Sequence, residues 1–353
     1  MRYKLKDIFD LQMGKTPSRN NLNYWDDEGY KWISISDLSK NKKYISDTRE
    51  AISELAVEES GIRIIPANTV VMSFKLSIGK VAITAQDMYS NEAIMAFRDK
   101  NVVDILPEYI FYLFKYRNWD EGSNKAVMGK TLNKATLSEL EIDICDVEKQ
   151  REIVNILDKV MAIFESRENE LVLLDDLIRA RFVEMFGDPV SDSMKWGQIP
   201  LKEYLESIRY GTSTPPSFSE KGYAFIRATN IKNGRIVDND MKYIPQEEAD
   251  RLVKCKLSGG EIIIVRSGVN AGDTCVVTDE YINQYAGYDM ILVLKNKLLP
   301  VFFNTLINTE YMARVVKPLT RRAAQPHLNS EQVQGLPVIK VPVELQNQFA
   351  DFV

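Results

Sequence analysis

Twice this chain sets a lysine between a glycine and a threonine, at Met13-Gly14-Lys15-Thr16 and at Met128-Gly129-Lys130-Thr131. These are residue types that hold a nucleotide phosphate. A complete phosphate loop needs a further glycine five residues before the Gly-Lys pair, so that successive backbone N–H groups curl around the anion. Phe9 and Asn124 stand there instead. Other chemistry is equally short of material. His327 is the only histidine, which excludes sites built on two imidazoles and leaves little for proton transfer near neutral pH. Cys145, Cys255 and Cys275 are too few and too far apart for a disulfide framework or a zinc site, and are expected to be small core residues. Glu-x-Lys, the end of a common metal-dependent nuclease motif, is absent, and Asp-x-Lys occurs only at Asp240 to Lys242. The adenine-methylating signature Asn-Pro-Pro-aromatic is absent too. No catalytic residue and no metal site is expected.

What remains is cationic and polar. The net charge of −5 is unevenly spread: residues 1–145 hold 20 basic and 21 acidic side chains, residues 146–190 hold 6 and 11, and residues 191–353 hold 19 and 18. The middle segment carries the deficit, which leaves room for basic patches on either side. Residues 122–138 lack Asp and Glu and contain Lys125, Lys130, Asn133 and Lys134. Residues 311–330 lack them as well and contain Arg314, Lys317, Arg321, Arg322, Gln325 and His327. Lysine and arginine neutralise nucleic-acid phosphates, and interspersed Asn, Gln, Ser and Thr reach base edges.

Turns add to the set. The polar turn GKTPSRN, with Lys15, Thr16, Ser18 and Arg19, answers GTSTPPS, which holds Thr212 and follows Arg209. Strand-end turns carry Lys75, Ser77 and Lys80 in one half, and Arg227, Asn230, Arg266, Ser267 and Asn270 in the other. Loops presented by a rigid scaffold are where recognition groups sit. One such loop alone reads as solvated surface; their recurrence in register points to DNA, with Arg321 and Arg322 foremost.

That register comes from an internal repeat. LKDIFDLQMG from Leu5 matches LKEYLESIRYG from Leu201, and KWISISDL around Trp32 matches AFIRATNI around Phe225. PEYIFYLF at Pro107 matches PVFFNTLI at Pro300, and TLNKATLSELEI at Thr131 matches HLNSEQVQGLPV at His327. DVEKQREI then matches PVELQNQF, and the offset stays between 193 and 197 throughout. Short strand-like runs broken by Gly and Ser turns, with a helix after Pro107 or Pro300, make each copy α+β. The expected architecture is a tandem duplication of two mixed domains, residues 1–146 and 188–343, joined by a spacer helix over 147–187.

Residues 148–186 contain neither Gly nor Pro, and Gly187 with Pro189 supplies a helix stop. Ile153, Leu157, Val160, Phe164, Leu171, Leu174, Ile178 and Met185 follow a four-three spacing, the seam of a coiled coil. At about 1.5 Å per residue the 39 residues run roughly 58 Å, longer than an ordinary globular helix. The repeat places the partner strand at Glu344, and residues 344–353 are expected to begin a second, truncated spacer helix. An exposed apolar stripe of this length calls for a partner. At 3.4 Å per base pair such a rod caps the separation of two recognition modules at roughly 17 base pairs.

The GKTPS turn at Gly14, WISISDL at Trp32, the Leu-Asn element at Leu132, EKQ at Glu148 and FVEMFGDP at Phe182 together resemble a type I restriction-modification specificity subunit. The resemblance covers the whole chain. It implies two target-recognition domains, each reading one half of a bipartite double-stranded DNA site, and no catalysis by the chain itself. It also implies that the spacer helices bind two modification (methyltransferase) subunits, and that restriction subunits join this core. No cofactor is expected on this chain; S-adenosylmethionine, ATP and Mg are expected on those partners. Family members normally have two complete spacer helices. A second copy of the chain or a separately encoded fragment is expected to cover the seam here, and the chain alone to assemble poorly with modification subunits. No signal peptide and no apolar run of membrane-spanning length is present, so a cytoplasmic location is expected. The alternatives are a stand-alone DNA-binding regulator or decoy, a nuclease hidden in one domain, and a protein-binding scaffold built on the heptads.

Overall fold

The computed structural model describes residues 1–39, 43–75, 77–119, 132–320 and 326–353. It divides into two compact units, Met1–Ser166 and Arg167–Val353.

Unit 1 is built on a five-stranded sheet in the order Phe9–Met13, Ile94–Asp99, Val70–Ser73, Val81–Thr84, Tyr44–Ile45. Its central strands are buried along their length and read VVMS and VAIT, the near-continuous apolar runs of strands covered on both faces. A second sheet orders Glu50–Ile52, Trp25–Ile33 and Tyr89–Ser90, with Trp32 paired in parallel to Tyr89. Arg2–Lys4 pairs with Glu141–Asp143 and closes the unit on itself. The helix Pro107–Lys115 starts with proline, whose missing N–H has no intrahelical partner to lose, and buries Tyr109, Ile110, Phe111, Tyr112 and Phe114.

Unit 2 repeats this plan. Leu205–Tyr210, Met290–Leu294, Ile262–Ile264 and Thr274–Val276 form the main sheet. Lys242–Ile244, Tyr223–Ile226 and Tyr285–Ala286 form the smaller one, with Phe225 parallel to Tyr285 as Trp32 is to Tyr89. Gln198–Pro200 pairs with Pro337–Ile339, and a proline again opens the helix Pro300–Ile307. Strand order and helix starts agree between the units, so the duplication expected from the sequence is present in the fold, and the class is α+β.

A 40-residue helix runs from Val147 to Phe186. Gly187, at φ +75°, ends it with its N–H on the Val183 carbonyl at 2.8 Å. The seam residues do not share one environment. Ile153 and Leu157 pack against the unit 1 core, where Val154 is buried. Ile178 and Met185 pack against the unit 2 core beside Phe182 and Phe186. Val160, Phe164, Leu171 and Leu174 are exposed. The helix Val343–Ala350 begins where the repeat places a second spacer and buries Gln346 and Phe349. Cys255 and Cys275 are buried and Cys145 is half-buried. Among the described residues no helix is long and apolar enough to cross a membrane.

Candidate nucleic-acid interface

In unit 1 the polar turn leaves the first sheet strand at Gly14, whose N–H donates to the Ile94 carbonyl at 3.2 Å. A Cβ there would sit 2.3 Å from the backbone oxygens of Ser90 and Asn91, so only glycine allows this approach. Lys15 is exposed and its ammonium donates to the Ser60 carbonyl. The Thr16 hydroxyl donates to Glu92 and is the main cause holding that carboxyl below its ordinary pKa; the charges of Lys75 and Arg19 act in the same direction. Arg19 pairs with Glu50, and its guanidinium lies 3.8 Å over the Trp25 ring. Ser18 is exposed, and its carbonyl accepts from Trp25 Nε1 at 3.3 Å.

The strand-end turn of unit 1 holds the next group. Lys75 lies 5.2 Å from the Phe74 ring centre, the Ser77 carbonyl accepts from Ser73 Oγ, and Lys80 Nζ donates to Ser39 Oγ at 2.6 Å. Asn133 caps the helix Lys134–Glu139, accepting the Thr136 N–H at 2.8 Å, and leaves Lys134 exposed in the first turn. Lys125 and Lys130, with the second MGKT, lie outside the described residues.

Unit 2 builds its version around Arg266. The guanidinium sits between two tyrosine rings, 4.7 Å from the centre of Tyr210 and 4.5 Å from that of Tyr288. The Arg266 N–H donates to Asp289 Oδ1 at 3.1 Å, and its NH2 lies 3.4 Å from His327 Nε2. Ser267 Oγ contacts His327 Nδ1 at 2.8 Å, and Asn270 Nδ2 donates to the Ala228 carbonyl at 3.4 Å. Thr212 closes its own turn on the Thr214 carbonyl at 2.9 Å, and Arg227 pairs with Asp240 at 3.2 Å. Asp289 is 2% exposed, and burial pushes its carboxyl from 3.8 up to about 6.

Two expected contacts are taken up inside the fold. Arg209 donates to the Lys254 and Lys256 carbonyls and to Glu261 at 2.8 Å. Asn230, fully buried, accepts the Arg227 N–H at 3.2 Å and donates to the Val237 and Asn239 carbonyls. Arg321, Arg322 and Gln325 lie outside the described residues.

The structure thus groups Thr16, Arg19 and Lys75 around Glu92 in unit 1, while Lys15 turns to the Ser60 carbonyl. In unit 2, Thr212, Arg227 and Ser267 meet at Tyr288 and Asp289, with Arg266 and His327 adjoining. One main-chain bond recurs in both: Leu132 N–H donates to the Phe74 carbonyl at 3.2 Å, and Leu328 N–H to the Arg266 carbonyl at 2.7 Å. Each bond ties the leucine before a helix-capping asparagine, Asn133 or Asn329, to the turn that follows a central strand. Trp25, Glu92, Tyr210, Tyr288 and Asp289 were not among the residues singled out from the sequence. Their only signal there is an acid and aromatic rings flanking the turns.

Residues 1–174 match the family described as the type I restriction modification DNA specificity domain. The chain is 30% identical over 303 residues to the type I restriction enzyme MjaIX specificity subunit of Methanocaldococcus jannaschii, covering 85% of this chain and 64% of that one. It is 29% identical over 153 residues to the EcoR124I/EcoR124II specificity subunit of Escherichia coli, covering 41% and 37%. The chain spans less than two thirds of the length of these relatives. The crystal structure of a type I restriction-modification S subunit from M. genitalium aligns over 99% of this chain and 87% of that one, at a TM-score of 0.50 and 14% identity, a likeness of fold. Residues 1–174 thus belong to the type I restriction modification DNA specificity domain, and the chain as a whole is similar to type I restriction enzyme specificity subunits.

Proposed function

We propose that this chain is the DNA-reading subunit of a type I restriction-modification complex, each half of the duplication reading one half of a bipartite duplex target. The recognition domains are residues 1–146 and 188–343, with spacer helices at 147–187 and from 344. The observation that carries the reading is the repeated bond from Leu132 to Phe74 and from Leu328 to Arg266, which ties the residue before Asn133 or Asn329 to the turn after a central strand at matching places in both units. Phosphate-neutralising cations next to base-reading polar groups, presented twice, suit two short words on one duplex.

Modification subunits are the proposed partners of the long helix. Ile163 and Phe164, and in unit 2 Val172, Leu173 and Leu177, are more than half exposed, more apolar surface than a solvated helix needs. The chain itself carries no chemistry in this proposal. S-adenosylmethionine acts on the modification subunits, ATP and Mg on the restriction subunits, and the complex works in the cytoplasm.

The test is reconstitution. Duplex DNA incubated with S-adenosylmethionine, a modification subunit and this chain is expected to be methylated at a defined split site, and with either protein alone to stay unmodified. Binding without any support of methylation would indicate a regulator or decoy and overturn the proposal.

A further inference from the structure

The two units carry the same aromatic pair under different lids. In unit 1 Trp25 and Trp32 meet edge to face at 5.1 Å, and Arg19 covers them, 3.8 Å over Trp25 and 5.1 Å from Trp32, with its NH2 donating to Glu50 at 3.1 Å. In unit 2 Phe218 and Phe225, each 193 positions further along, meet at 5.8 Å. Residues 211–218 contain no arginine. Above the pair is a cavity of about 300 Å³, walled by Phe218, Phe225, Tyr288, Pro215 and Pro216, with Asp289 on its lining.

Asp289 is an unanswered acceptor. It is 2% exposed, its Oδ1 takes the Arg266 N–H at 3.1 Å, and its Oδ2 is buried with no hydrogen-bond partner among the described residues. Arg227, also on the lining, is paired with Asp240, and Arg266 is stacked between Tyr210 and Tyr288. What fills the matching place in unit 1 is a planar group that stacks on a ring and donates to a carboxylate. The unit 2 slot asks for the same shape and polarity from outside the chain. Two flanking arginines disfavour a cation, and the buried carboxylate disfavours a phosphate.

We propose that this cavity takes one nucleobase swung out of the duplex, stacked on the aromatic wall, with its exocyclic amine donating to Asp289 Oδ2. Aromatic stacking and a hydrogen bond to the Watson–Crick edge are how extruded bases are held. An amine-bearing base, adenine, cytosine or guanine, fits; thymine offers only N3–H, set between two carbonyls that the carboxylate repels. The volume stands at the small end of ligand pockets, roughly 300–1,000 Å³. The assignment rests on the reading of the chain as duplex-binding.

The test uses the full chain and labelled duplexes, one fully paired and others identical but for a single bulged adenine, cytosine or thymine, with affinity read by fluorescence anisotropy. A base already out of the stack saves the extrusion cost, so the adenine or cytosine bulge is expected to bind roughly tenfold tighter than the paired duplex, the thymine bulge much less so. Asp289→Asn, and Pro216→Arg, which supplies a lid like that of unit 1, are expected to bring the ratio close to one, with folding checked by thermal unfolding. Equal affinity for bulged and paired duplexes, or a preference that survives both substitutions, overturns the cavity assignment and leaves duplex binding standing. Absence of binding to every duplex overturns the duplex-binding reading, and this assignment with it.

Discussion

Gln150 and Gln346 make the same three hydrogen bonds at the start of their helices. Gln150 Oε1 accepts the Leu106 N–H at 2.9 Å, and its Nε2 donates to the carbonyls of Asp104 at 2.9 Å and Cys145 at 2.8 Å. Gln346 does the same with Leu299 at 2.8 Å, Lys297 at 3.1 Å and Val341 at 2.8 Å. Both side chains are at most 1% exposed. Each is a polar latch fixing the start of its helix to the loop before the Pro107 or Pro300 helix, and each explains why a glutamine is buried at that junction.

Replacing Gln150 or Gln346 by Leu leaves one N–H and two carbonyls without partners. At about 1–3 kcal/mol per orphaned buried group, the loss is expected to reach about 3 kcal/mol or more. Urea unfolding of each variant measures it, and a change within about 0.5 kcal/mol would show that the latch contributes little.

Phe182 and Phe186 root the end of the long helix in unit 2. Their rings lie 5.0 Å apart and 5.0 to 5.6 Å from those of Phe302 and Phe349. Phe182→Ala is expected to cost about 3–5 kcal/mol, through lost burial and the cavity left behind. A thermal melt lowered by only a degree or two would place this helix end outside the core.

Asp289 gives a pH signature. Its carboxyl titrates near 6 in the fold against 3.8 when exposed, so the native chain holds a proton that the unfolded chain releases between those values. Stability is therefore expected to fall as pH rises through that window, by about 3 kcal/mol at 1.36 kcal/mol per pKa unit, and to stay low above it. Asp289→Asn keeps an acceptor for the Arg266 N–H and removes the titration. It is expected to be the more stable form at pH 7, with the difference vanishing near pH 4. A variant less stable at pH 7 would contradict this.

Arg266 and Arg209 are expected to separate under one assay. Arg266→Ala lowers duplex affinity and the slope of log affinity against log salt by about 1, because one phosphate-neutralising or base-reading cation is lost. Arg209→Ala leaves Glu261, whose side chain is 8% exposed, without its guanidinium, and is expected to cost about 3–5 kcal/mol of stability with the slope unchanged. Anisotropy titrations at several salt concentrations, beside unfolding curves, distinguish the two.

The duplication was legible because strand order and helix starts follow local apolar patterns that both copies retain. Pro107 and Pro300 mark the same helix, and Asn133 and Asn329 the same cap, with no need of tertiary information. The interface was less legible for the opposite reason. Whether Arg209 faces solvent is decided by Glu261, 52 residues away, and whether Asn230 does is decided by carbonyls that converge only in the fold. Heptad spacing found the apolar face of the long helix. It could not show that Ile153 and Met185 are covered by their own units while Phe164 is not. Asp289 left no trace, since one acid beside apolar residues looks the same whether solvated or buried.

Mapping modified adenines across a genome with and without the gene for this chain tests the central claim most directly. The claim predicts gene-dependent modification at a single split motif, two short specific words separated by a fixed run of unread base pairs, with exchange of residues 188–343 for those of a relative changing one word only. Gene-dependent modification at one uninterrupted word, or none at all, would contradict it.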